Sequence, residues 1–138
     1  MAPRVTGLLE TGLYVEDVER SRAFYQKLFG FEAIFSDQRI CAFDVAPAQV
    51  LILFQRGGTL APVKLGDSFI PPHDGKGPQH FAFAIPSADY QGCKERLQEQ
   101  GIDIESEVTW PRGSRSLYFR DPDGLLVELA TPGLWKNY

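Results

Sequence analysis

Several things are scarce in this chain, and each scarcity closes off a class of protein. Cysteine occurs only at Cys41 and Cys93, with no CxxC pair and no metal-ligand spacing. Neither a disulfide framework nor a thiolate metal site is therefore expected, and both residues read as small buried hydrophobes with free thiols. Long apolar runs are missing too. The longest, residues 50–54, is a buried strand, far short of the ~20 residues that cross a bilayer. Residues 1–4 do not lead into an apolar signal segment, so a soluble, cytoplasmic protein without a membrane partner is expected. Basic clusters are absent as well. Lys and Arg number 14 against 18 Asp and Glu, and the net charge of −4 is spread along the sequence. No basic stretch is interleaved with aromatics, so nucleic acid is not expected as a partner. Nor does any linker divide the chain: 138 residues with 43% hydrophobic content suit one domain, 1–138, with a real core.

What is present begins with the run Gln79-His80-Phe81-Ala82-Phe83-Ala84-Ile85. Strict alternation predicts a strand with Phe81, Phe83 and Ile85 on one face and His80, Ala82 and Ala84 on the other. The first face packs. The second leaves room beside the imidazole, the profile of a cavity wall, and makes His80 the first candidate for chemistry. The same pattern occurs at Glu10-Thr11-Gly12-Leu13-Tyr14-Val15, with Glu10 in the place of His80, at an offset of 70 residues. Gly30-Phe31 and Gly101-Ile102, each following a helical pattern, continue the correspondence with one inserted residue. This is an internal repeat.

Taken in order, residues 8–15 predict a strand and Asp17 caps a helix carrying Val18, Ser21, Phe24, Tyr25 and Leu28 at spacings of three and four. Gly30 ends it. Residues 31–35, 39–45 and 49–54 predict three strands, so the first module, about 7–56, is βαβββ. Between 57 and 78 glycine and proline recur and no regular element is expected, 70–78 least of all; a connection this long in a compact domain is a linker or a functional loop. The second module, about 79–131, predicts a strand from His80, a helix over 90–100, a short strand at 102–105, and a hairpin of 116–120 and 125–130 around the turn Asp121-Pro122-Asp123-Gly124. A tail, 132–138, follows. In the last strand Leu125, Val127 and Leu129 share one face, which places Glu128 with Leu126 and Ala130 on the other. A carboxylate in so apolar a run needs a partner.

The string from Leu13 to Tyr25, the His80 strand, and Ser116-Leu117-Tyr118-Phe119-Arg120-Asp121-Pro122-Asp123-Gly124 running into Val127-Glu128-Leu129 resemble the vicinal oxygen chelate superfamily. That superfamily includes glyoxalase I, extradiol dioxygenases, the fosfomycin-resistance thiol transferases and the bleomycin-binding proteins. The resemblance implies an α+β fold of two βαβββ modules whose curved mixed sheets form an open barrel-like cavity. It also implies a small-molecule substrate and a homodimer. Its metal ligands come from the head of the first strand of each module and from the last strand of the second, and these are here Glu10, His80 and Glu128. Position 10 departs from the usual histidine. A fourth ligand would fall on Leu51, Ile52 or Leu53, none of which coordinates, so the ion keeps open positions. One imidazole and two carboxylates favour Mn(II), Fe(II) or Mg(II), with Ni(II) and Zn(II) as further divalent candidates.

Further candidates surround that set. Glu128 is counted as catalytic as well as ligating. Tyr118 alternates with Ser116 and Arg120 on one face of the strand leading toward Glu128, where the resemblance puts a substrate-contacting tyrosine. Arg120 is a candidate substrate contact beside it. In the loop, which lies across the cavity in related proteins, His73 is a candidate acid or base and Lys64 an attractor of anionic substrate, solvation being the alternative for both. Trp110 and Trp135 are candidates for the pocket wall, or for core packing. The function expected is that of a metal-dependent enzyme using the ion as a Lewis acid on a small oxygen-bearing substrate, with lyase, isomerase or thiol-transferase chemistry. The alternatives are a metal-free drug-binding protein of the bleomycin-resistance kind and an extradiol-type dioxygenase.

Overall fold

The computed structural model describes residues 1–138, which form two compact units, Met1–Lys76 and Gly77–Tyr138. The first contains β1 (Glu10–Val15), α1 (Val18–Phe29), β2 (Glu32–Ser36), β3 (Ile40–Ala46), β4 (Gln49–Gln55) and a small hairpin of β5 (Val63–Leu65) and β6 (Ser68–Ile70). The four longer strands make a sheet in the order β1-β4-β3-β2. The pairing of β1 with β4 is parallel, and the helix between them in sequence supplies part of the crossover that a parallel pair requires. Asp17 caps α1 as expected, its Oδ1 accepting from the Arg20 N–H at 3.1 Å. At the other end Gly30 takes φ 73° and donates its N–H to the Gln26 carbonyl, a left-handed closure that glycine adopts without a Cβ penalty. The helix buries Val18, Ser21, Tyr25 and Leu28, while Leu13, Val15, Cys41, Phe43, Leu51 and Leu53 are the buried alternate residues of the sheet.

The second unit repeats the plan. It contains β7 (His80–Ala84), a 3-10 turn at Ser87–Asp89 that leads into α2 (Tyr90–Glu99), then β8 (Ile104–Thr109), β9 (Arg115–Arg120) and β10 (Leu126–Ala130). Its sheet order is β7-β10-β9-β8, with β7 parallel to β10 and the other pairs antiparallel. Leu97, Leu117, Phe119, Leu125, Val127 and Leu129 form its core. The β9–β10 turn is held by Asp121, whose Oδ1 accepts from the N–H groups of Asp123 and Leu125, both at 2.9 Å. The α+β class with two βαβββ repeats is therefore present, and it is the shared strand order that demonstrates the repeat. No helix is long and apolar enough to cross a membrane.

Three expectations need correction. The first strand starts at Glu10 rather than residue 8, because Leu8 and Leu9 are exposed and only the Leu9 carbonyl joins the ladder, accepting from Val50. The strand expected at 102–105 is β8, Ile104–Thr109, longer and later because its charged alternate residues hide the pattern. The 57–78 segment, expected to hold no regular element, contains the β5–β6 hairpin. Its strands have three residues each, too few for periodicity to register, although Gly66-Asp67 between them is a hairpin-turn dipeptide.

The rest of that segment is tied back onto the first unit. Thr59 and His73 exchange two hydrogen bonds, the His73 N–H to the Thr59 carbonyl and the Thr59 hydroxyl to the His73 carbonyl. Arg56 Nε donates to the Gly75 carbonyl at 3.1 Å, and the Gly57 N–H donates to Asp74 Oδ1 at 3.3 Å. An irregular stretch thus finds partners for backbone groups that no ladder serves.

Candidate metal and substrate site

In the second unit, alternation puts His80, Ala82 and Ala84 of β7 on one face, with Leu126, Glu128 and Ala130 of β10 and Ser116, Tyr118 and Arg120 of β9. Register then aligns the rows: His80 opposes Leu126, which opposes Arg120, and Ala82 opposes Glu128, which opposes Tyr118. His80 and Glu128 are consequently diagonal neighbours on a parallel pair. Glu128 is only 4% exposed, whereas the His80 side chain is about half exposed.

The hydrogen-bond polarity of this cluster follows from its outermost members. The Trp110 indole can only donate, and it does so to Ser116 Oγ at 2.8 Å. Ser116 therefore spends its one proton on Glu128 Oε1, at 2.6 Å. Tyr118 donates to the same oxygen at 2.9 Å. At the other side a carbonyl can only accept, so the 3.0 Å contact between His80 Nδ1 and the Leu126 oxygen puts the imidazole proton on Nδ1. Nε2 then faces Glu128 Oε2 at 3.2 Å. Two acceptors approach so closely only with a proton or a cation between them. The donor set, one imidazole nitrogen oriented by a carbonyl and one carboxylate oriented by two hydroxyls, has the chemistry and outer support of a divalent-ion site.

Tyr118 is tuned by the same contacts. Burial first, and then the Glu128 carboxylate, raise its pKa above the ordinary tyrosine value, against a smaller opposing effect of Ser116. The phenol keeps its proton and acts as a donor. Its ring lies 6.2 Å from that of His80.

The other expected site residues are placed differently. Arg120 shares the face but gives its guanidinium to Glu105, with Nε at 2.7 Å from Oε2 and Nη2 at 3.3 Å from Oε1. Trp110, half-buried, donates its indole N–H to Ser116. Trp135 is 67% exposed. Glu10, Lys64 and His73 belong to the first unit. There Glu10 heads β1, exposed, opposite Val50, and Lys64 is on the hairpin. His73 shares a 2.7 Å hydrogen bond with Tyr14 through Nδ1 and sets its ring edge-on to Phe54, with centroids 4.7 Å apart. Neither unit by itself gathers three metal-binding side chains. The register also settles which residue of the first unit corresponds to Glu128: Gly12, Ile52 and Ala42 make one row, matching Ala82, Glu128 and Tyr118, so Ile52 stands where the second unit has its carboxylate. Ser116 had no role assigned from sequence, though its alternation with Tyr118 was the available signal.

The model of the Glyoxalase/Bleomycin resistance protein/Dioxygenase superfamily matches residues 7–129. The chain belongs to that superfamily. It is similar to the metallothiol transferase FosB of Bacillus licheniformis, 25% identical over 97% of this chain and 80% of that protein. It is also similar to a crystal structure of lactoylglutathione lyase from Agrobacterium tumefaciens, with TM-score 0.87 and 31% identity over 97% of this chain and 99% of that one. A third similarity is to the fosfomycin resistance protein FosX of Listeria monocytogenes in complex with Mn(II) and sulfate, with TM-score 0.69 and 27% identity over 95% of this chain and 94% of that one. Two of these three carry enzyme names, and the superfamily member described here is an enzyme by the same kinship.

Proposed function

We propose that this protein is a divalent-metal enzyme that activates an oxygen of a small substrate for redox-neutral chemistry, such as thiol addition to an epoxide or isomerisation of a thiol adduct of a 2-oxo aldehyde. The observation that carries the reading is the convergence of His80 Nε2 and Glu128 Oε2 on one point, 3.2 Å apart, with Nδ1 held by the Leu126 carbonyl and Oε1 by two hydroxyls. His80 and Glu128 would hold the ion, with Glu10 of a second copy of the chain as the third donor. One imidazole and two carboxylates suit Mn(II), Fe(II) or Mg(II). Bound there, the ion polarises a substrate oxygen and stabilises the negative charge that develops on it.

The chain's own residues supply the rest. Ala82 and Ala84 leave the face beside His80 open to a ligand. Tyr118, holding its proton, donates a hydrogen bond and can orient a substrate oxygen that competes with Glu128 for it. Arg120, its guanidinium paired with Glu105, stands on the same face two positions further along β9. The kinship with a protein named metallothiol transferase and with one named fosfomycin resistance protein supports thiol addition to a small oxygen-rich molecule over ring cleavage, which depends on dioxygen activation by a two-histidine iron site.

A panel assay decides: fosfomycin with low-molecular-weight thiols or water, hemithioacetals of 2-oxo aldehydes, and catechols, each with Mn(II), Mg(II) and Fe(II). Turnover of one of the first two groups, strongest with Mn(II) or Mg(II), is expected. Oxygen uptake with a catechol under Fe(II) alone would overturn the reaction class, and tight binding without turnover under every metal would point to sequestration.

A further inference from the structure

Trp110 and Ser116 make an unusual demand on one another. Ser116 is fully buried, and a buried serine hydroxyl has one proton to give and lone pairs to fill. The indole N–H fills one lone pair, which directs the hydroxyl proton onto Glu128 Oε1. Were the indole absent, one lone pair of a fully buried hydroxyl would lose its donor and the hydroxyl its orientation. Trp110 reaches this position because β8 ends at Thr109 and the following turn brings its backbone back to Ser114, Trp110 N–H to the Ser114 carbonyl at 2.8 Å and Gly113 N–H to the Trp110 carbonyl at 2.9 Å. The turn folds the indole over β9 at the more deeply buried of the two hydroxyls that touch the carboxylate.

We propose that Trp110 and Ser116 are positioning residues, a directed donor chain from indole to hydroxyl to carboxylate that decides which oxygen of Glu128 is presented with His80. With Tyr118 on the same oxygen, Oε1 carries two donors, and rotation of the carboxylate would cost both bonds. Oε2 is thereby kept facing His80 Nε2. The chain runs one way, so Trp110 acts only through Ser116. This inference rests on the proposed metal site, and its experiment separates the two.

The first arm uses Mn(II) alone as the probe, with circular dichroism and thermal melting confirming the fold of every variant. Ser116→Ala is expected to weaken Mn(II) binding about 10- to 100-fold, the usual effect of losing an outer partner of a metal ligand. Ser116→Thr, which keeps the hydroxyl, should restore most of the affinity. Trp110→Phe should lower affinity by a smaller factor in the parent and by none in the Ser116→Ala background, since its effect passes through that oxygen. Losses that multiply independently in the double variant, or parent-like affinity in Ser116→Ala, overturn the proposal. The second arm needs no metal. The Trp110 indole N–H resonance, assigned by its loss in Trp110→Phe, should shift on Ser116→Ala and also on Glu128→Gln, while that of exposed Trp135 stays in place. An indole signal indifferent to Glu128→Gln breaks the chain. If the parent takes up no Mn(II), the metal reading fails and the second arm alone decides the positioning role.

Discussion

Glu128 is the residue whose burial has to be explained. A carboxylate at 4% exposure is costly unless its lone pairs are met, and two hydroxyl donors meet only one of its oxygens. Tyr118 reports on that arrangement because its phenol is raised by burial and by the carboxylate. A raised value means that the folded state holds the proton more tightly than the unfolded chain. The corresponding stability is complete below the ordinary tyrosine value of about 10 and is lost as pH rises through the folded value. An ultraviolet titration of parent minus Tyr118→Phe should therefore show a midpoint above about 10, and Glu128→Gln should lower it while burial keeps part of the elevation. A midpoint unmoved by Glu128→Gln would mean that the phenol and the carboxylate are not in contact. Both thiols are free, Cys41 buried and Cys93 half-buried, and burial raises the pKa of each.

Among the elements, α1 shows how directly local chemistry set the fold. Asp17 satisfies a backbone donor that the helix cannot, so Asp17→Ala should cost about 1 kcal/mol in chemical denaturation, with no change in metal binding; a loss below a few tenths would show that the cap bond is not made in solution. This helix, its Gly30 terminus and the four strands around it were legible because each has five or more residues of clear period. So was the repeat, since Glu10 and His80 head strands in the same sheet position. The β5–β6 hairpin was not, because three-residue strands carry no period, and β8 was obscured by Glu105 and Glu107, which face Arg120 and Lys94 at the surface. Within the site, His80, Glu128 and Tyr118 were legible from alternation together with the resemblance. The role of Trp110 was not, since an indole donor to a serine six residues on depends on a turn geometry that sequence spacing does not encode. Nor was the Arg120–Glu105 salt bridge legible, since it follows from a cross-strand pairing displaced by a bulge between Ile104 and Ser106.

At the scale of the whole molecule, one plan is used twice with different chemistry. The row Gly12, Ile52 and Ala42 carries no polar side chain, while the row Ala82, Glu128 and Tyr118 carries a carboxylate and a phenol that donates to it, so a duplicated architecture bears one histidine–carboxylate pair and not two. The partner proposed for the chain is a second copy, and the metal count per chain then becomes the informative quantity. The most direct measurement of the central claim is a Mn(II) binding isotherm, by titration calorimetry or electron paramagnetic resonance, on protein whose oligomeric state is fixed in the same sample by light scattering. One Mn(II) per chain in a two-chain particle is expected for the parent, with binding weakened more than about 100-fold in both His80→Ala and Glu128→Ala, since even outer-shell losses reach that range. Parent-like stoichiometry and affinity in either variant would contradict the account and leave His80 and Glu128 as a structural pair.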